Sequence, residues 1–124
     1  MKIMIIDDDE DILNLFRDFL SKEGYDVVTY LEPLKALKEI EDSPTRYSLI
    51  ITDIRMPGIS GIELIKRVSS INADIKIVLM SAFEINGDEL KELTYNEHLQ
   101  KPIHMHALAS TIREILGPNT ADHK

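Results

Sequence analysis

Five side chains stand where short apolar runs end. Asp7 and Asp8 follow Ile3–Ile6, Asp53 follows "LIIT", Ser81 closes "IVLMS", and Lys101 stands in "LQKP". Three carboxylates brought together would repel and raise one another's pKa unless a cation joined them. A hard divalent ion with oxygen ligands removes that penalty, and Mg2+ (or Mn2+) suits a site of few carboxylates that leaves room for water. A hydroxyl and an ammonium beside such an ion supply the rest of what a phosphoryl group needs. The acids offer a nucleophilic oxygen, the cations neutralise charge, and the donors meet the equatorial oxygens.

Those residues converge only if the elements carrying them are parallel neighbours. The apolar runs Ile3–Ile6, Val27–Tyr30, Leu49–Ile51 and Ile75–Met80, with a weaker fifth at Glu97–Gln100, alternate with segments of helical period. Three of the runs are nearly continuous, as expected of strands buried on both faces of a parallel sheet. Ile12, Phe16, Phe19 and Leu20 form one helical face, stopped at Gly24. Pro33 opens a second helix with Leu34, Leu37 and Ile40 inward. Ser60 and Glu63 have capping-box spacing ahead of a third, with Ile62, Ile65 and Val68 inward. The last helix turns Leu108, Ile112 and Ile115 to the core and ends at Gly117-Pro118, and the least defined lies between Gly87 and Leu93. Strict alternation predicts a single α/β domain, a doubly wound five-stranded parallel sheet with five helices on its two faces; in the flavodoxin-like order 2-1-3-4-5, the one that the family resemblance given below implies, the first and third strands are neighbours. In such a sheet the site lies outside the carboxyl ends of the strands, where the order reverses, and Asp7, Asp8 and Asp53 would meet there.

Composition narrows the function classes. A chain of 124 residues, 44% hydrophobic, suits one domain, here residues 1–117 followed by a polar tail, 118–124. The absence of cysteine excludes disulfides, thiolate metal sites and cysteine nucleophiles. A net charge of −8 disfavours a nucleic-acid surface. No stretch reads as a signal peptide or membrane span, so a cytoplasmic protein that binds neither DNA nor membrane is expected. Asp9, Glu10 and Asp11 read as partners of a helix macrodipole, and His104, His106 and His123 as surface residues.

In order along the chain, "IIDDDE", "LIITDIRMPGISGIELI", "IVLMSA" and "QKPI" resemble the landmarks of the response-regulator receiver domain of two-component signalling. The resemblance implies that Asp53 is the phosphoacceptor, taking a phosphoryl group from a sensor histidine kinase or a histidine phosphotransfer protein. It implies a Mg2+ site of Asp7, Asp8, Asp53 and the backbone carbonyl of Arg55, and contacts from Ser81 and Lys101 to the phosphoryl oxygens. Ser81 and a side chain three residues before the lysine, His98 here, would form the switch, and a cis Lys101-Pro102 bond is implied as well. The domain would signal to an output protein, as a monomer or weak dimer, without turning over a substrate. Arg55 and Phe83, flanking the phosphoryl group, would obstruct the hydrolytic water and prolong its life. Three features depart from the family pattern: serine rather than threonine at 81, isoleucine at 103, and no Gly-Ala step within "EINGDELKELTYNEHL".

Two other readings fit parts of the pattern. In a haloacid-dehalogenase-like phosphatase, Asp7 would be the nucleophile, Asp9 the acid/base, and Ser81 and Lys101 the phosphate binders. That reading leaves Asp53 without a role. A receiver-like interaction module that never takes phosphate would have no use for the acid, hydroxyl and lysine set.

Overall fold

The computed structural model describes residues 2–82, 87–91 and 93–117, with no account of the side chains of residues 87 and 89. Its elements run β1 (Lys2–Ile6), α1 (Glu10–Lys22), β2 (Asp26–Tyr30), α2 (Pro33–Asp42), β3 (Leu49–Asp53), α3 (Gly61–Ile71), β4 (Lys76–Ser81), α4 (Gly87–Leu90), β5 (Glu97–Gln100) and α5 (Met105–Leu116). All strand pairs are parallel and the order is β2-β1-β3-β4-β5. The expected fold is present, with one correction. Among the described residues, four helices of ten or more residues accompany a single helical turn at α4, where five helices are expected.

Burial explains the sheet. Ile3–Ile6 of β1 and all five residues of β3 are buried, as are the last five of β4. One core layer gathers Met4, Ile6, Ile50, Ile77 and Leu79 under α2 and α3. The other gathers Ile3, Ile5, Ile51, Val78 and Met80 under α1 and α5. Each of these three strands therefore alternates between two dry faces, which is why its sequence reads as a nearly continuous apolar run.

The helices start and stop as their sequences predict, but their inward faces are rotated. Asp9 caps α1, its carboxylate accepting the N–H groups of Asp11 and Ile12, and Ser60 caps α3 through the N–H of Glu63. Gly24, just past α1, has φ +94°. In α2 the buried stripe is Pro33, Ala36, Leu37 and Ile40, and Leu34 is 53% exposed, contrary to its expected inward position. In α3 the stripe is Gly61, Leu64, Ile65 and Val68, while Ile62 is only partly buried. Likewise Ile12, Phe19 and Ile115 flank their stripes, whose fully buried positions are Leu13, Phe16 and Leu20 in α1 and Leu108, Ala109 and Ile112 in α5. Small residues, Ala36, Gly61 and Ala109, take places in three of these stripes.

Candidate functional site at the carboxyl ends of the strands

Asp7 is the first residue past β1 and Asp53 the last of β3, so the crossing of the strand order brings them side by side. Asp7 is fully buried and Asp53 is 8% exposed, whereas Asp8 faces solvent. One oxygen from each of the three lies within 4.8 Å of the others. That spacing fits a hard divalent cation. Opposite ligands of Mg2+ are about 4.2 Å apart, so direct and water-mediated contacts can both be made within such a set.

The two buried carboxylates are held by named donors. Asp7 Oδ1 accepts the N–H of Asp9 at 2.9 Å, and Asp53 Oδ1 accepts the N–H of Ile54 at 2.8 Å. Lys101, just beyond β5, bridges the two acids, its Nζ donating to Asp7 Oδ2 at 2.8 Å and Asp53 Oδ2 at 3.2 Å. The main chain of Lys101 is anchored too, its N–H donating to the Ser81 carbonyl at 2.7 Å. The Lys101-Pro102 peptide is cis. Burial raises the Asp7 carboxyl above its ordinary value, opposed by the hydrogen bond from Lys101. Burial also acts to lower the Lys101 ammonium, but Asp7 and Asp53 together outweigh it and the net shift is upward.

The loop after β3 is shaped by two glycines. Gly58 adopts φ +94°, which a β-carbon disfavours. Gly61 packs so closely beneath Asp53 that a β-carbon would overlap the Asp53 carbonyl oxygen, and its N–H donates to Ile54 O at 2.7 Å. Arg55 follows in this loop with an exposed side chain.

The fourth and fifth strand ends bring their groups together as well. Ser81 is buried, and its Oγ lies 2.8 Å from His98 Nε2. This contact between the two expected switch residues has no signature in the sequence, because it depends on the register that sets Leu79 opposite His98 and Ser81 opposite Gln100. The Ile54 N–H at Asp53 is equally invisible there, being a main-chain group. Phe83 and the tail, 118–124, lie outside the described residues. Asp9 caps α1 through its Oδ1. His104 and His106 are exposed, the latter edge-on to Phe19 with ring centres 5.9 Å apart.

Beside Asp8, an open groove of about 590 Å³ is lined by Leu31, Leu34 and Pro57. No helix among the described residues is long and apolar enough to cross a membrane.

A family model described as the response regulator receiver domain matches residues 3–113. The chain is 32% identical over 117 residues to the sporulation initiation phosphotransferase F of Bacillus subtilis, covering 93% of each chain. It is 30% identical to the polar-differentiation response regulator DivK of Brucella anthropi, covering 93% of this chain and 95% of that one. Among solved structures, the response regulator protein TrrA of Thermotoga maritima in complex with Mg(2+)-BeF is 30% identical, with a TM-score of 0.81 over 92% of this chain and 97% of that one. A CheY-like receiver domain protein of Methanospirillum hungatei superposes with a TM-score of 0.88 at 24% identity, covering 98% of this chain and 97% of that one, a likeness of fold. With its acids, hydroxyl and lysine gathered at the expected strand ends, the chain belongs to the response regulator receiver domain family.

Proposed function

We propose that Asp53 is the phosphoacceptor of a Mg2+-dependent switch that takes its phosphoryl group from a sensor histidine kinase or a histidine phosphotransfer protein. The observation that carries this reading is the bridge from Lys101 to both Asp7 and Asp53, which leaves two carboxylates and an ammonium converging on one point. An Asp53 oxygen attacks phosphorus, the O–P bond forms as the P–N bond of the phosphohistidine breaks, and the leaving imidazole nitrogen keeps the electron pair and takes a proton from solvent. Lys101 is placed to follow the transferred charge, exchanging a carboxylate for a phosphoryl oxygen. Ser81 donates its hydroxyl proton to another of those oxygens. Asp7, Asp8, Asp53 and the Arg55 carbonyl would hold the Mg2+, which when bound would supply positive charge to neutralise that of the incoming group.

The response passes through Ser81 and His98 to the β4–β5 edge and from there to an output protein, with the domain acting as a monomer or weak dimer in the cytoplasm. Residues 1–117 form the working unit. Self-dephosphorylation is slow because Arg55 and Phe83 hinder the attacking water. Arg55→Asn combined with Phe83→Glu is expected to speed dephosphorylation, and an unchanged rate would refute that role.

The decisive experiment is the intact mass after incubation with Mg2+ and acetyl phosphate, beside Asp53→Asn and a chelator control. One added phosphoryl group that needs both Asp53 and the metal is expected. An adduct that persists in Asp53→Asn and vanishes in Asp7→Asn would favour the phosphatase chemistry instead. Absence of both adduct and Mg2+ binding would favour the phosphate-independent module.

A further inference from the structure

Ser81 Oγ and His98 Nε2 are at hydrogen-bond length, 2.8 Å, so one proton lies between them. Ser81 pairs with Gln100 and Leu79 with His98, which puts both side chains on the same face of the sheet. A serine hydroxyl has one proton and donates it once, whereas an imidazole Nε2 is a donor or a bare acceptor according to the ring's protonation. If Ser81 donates to a phosphoryl oxygen, it has nothing left for a bare Nε2. With the contact kept on loading, two lone pairs would then face each other.

We propose that His98 is a positioning residue whose Nε2 carries a proton in the phosphorylated protein and donates it to Ser81 Oγ, turning the serine proton toward the phosphoryl oxygen. The inference rests on the roles given to Asp53 and Ser81 above and adds the direction of a single proton. Nε2 takes that proton from solvent. Nδ1 either keeps its own, leaving an imidazolium, or returns it to solvent, leaving the other neutral tautomer. A hydrocarbon ring at this position could fill the same space but could not make the donation.

The test is nitrogen NMR of the 15N-labelled wild-type chain with Mg2+ and saturating beryllofluoride as the phosphoryl probe. His98 Nε2 is expected to resonate as a protonated nitrogen in the loaded protein, and a bare Nε2 there overturns the proposal. In loaded Ser81→Ala the hydroxyl constraint is gone, and Nε2 should no longer be held fully protonated. If Nε2 remains fully protonated in that variant, the ring is answering the phosphoryl charge directly and the proposal fails. A second measurement separates donation from bulk. His98→Gln keeps an N–H donor without a ring, and His98→Phe keeps a ring without a donor. The glutamine protein should bind beryllofluoride roughly three- to tenfold more tightly than the phenylalanine protein, the range of one hydrogen bond. The reverse order overturns the proposal in favour of space filling. Failure of beryllofluoride to load any of the proteins sinks the phosphoacceptor reading, whereas loading with a bare Nε2 sinks only the role of His98.

Discussion

The two halves of the site are built to different standards of rigidity. Around Asp7 and Asp53, β1 and β3 are central strands, and every residue of β3 is buried. Around Ser81 and His98, β4 is just as buried, but its partner β5 is an edge strand of four residues whose ends, Glu97 and Gln100, are exposed. The helices differ in the same sense, α3 running eleven residues and α4 four. The carboxylates are thus held by a packed core and cannot move without disturbing it. The hydroxyl–imidazole pair stands against an edge with less to hold it. Under the proposed function, chemistry that needs fixed geometry would sit on the first, and a response that needs two arrangements on the second.

The sharpest break in this comparison is Asp53→Asn, which should abolish the Mg2+-dependent phosphoryl adduct in an intact-mass assay while leaving the fold unharmed. Next comes the contrast between Ile50→Ala and Leu99→Ala. Ile50 is fully buried in β3 and should lose roughly 3–5 kcal/mol in urea unfolding. Leu99, half-buried in β5, should lose about 1–2 kcal/mol, because less apolar surface is returned to water. Equal losses would deny the difference in rigidity, and faster amide exchange in β5 than in β3 would reinforce it. Mg2+ should stabilise only the first half. A tenfold excess over its dissociation constant gives about 1.4 kcal/mol by linkage. Because Asp8 is exposed, Asp8→Ala should remove that gain from thermal unfolding at little cost to the metal-free fold.

The smallest effect concerns the foot of β3. Tyr47 is buried and donates to Glu39 of α2 at 2.6 Å, with Arg46 on the same carboxylate oxygen at 2.7 Å. Burial first, then the hydrogen bond to Glu39, raises the Tyr47 phenol above its ordinary 10.0. A raised folded-state value means that the contribution to stability is complete below the unfolded value and is lost as pH climbs toward the folded one. Between about pH 10 and 11 the wild type should lose about 1 kcal/mol more than Tyr47→Phe in urea unfolding. Parallel slopes would remove this clamp from the rigid half.

Much of the rigid half was legible in the chain, because burial on both sheet faces writes itself as uninterrupted apolar residues ahead of Asp7 and Asp53. The cap at Ser60 and the stop at Gly24 are local events that local sequence encodes, whereas Asp9, read as a macrodipole partner, turns out to cap α1. The inward faces were less legible. Reading large apolar residues as the stripe placed Leu34 inward, whereas Pro33, Ala36, Leu37 and Ile40 occupy it and Leu34 lines the groove beside Asp8. A small residue in the buried stripe carries little hydrophobic signal, so it was not read as part of the face. The single turn of α4 falls in the segment that lacks the Gly-Ala step.

The sequence by itself determined which groups could do the chemistry and that each stands at a strand end, since residue type and period are local properties. Only the tertiary structure decided how those groups are paired. Lys101 lies 94 positions from Asp7 and 48 from Asp53, and Ser81 lies 17 from His98. Contacts at such separations are set by strand order and register, which are fixed when the whole sheet packs and not by any single stretch of chain.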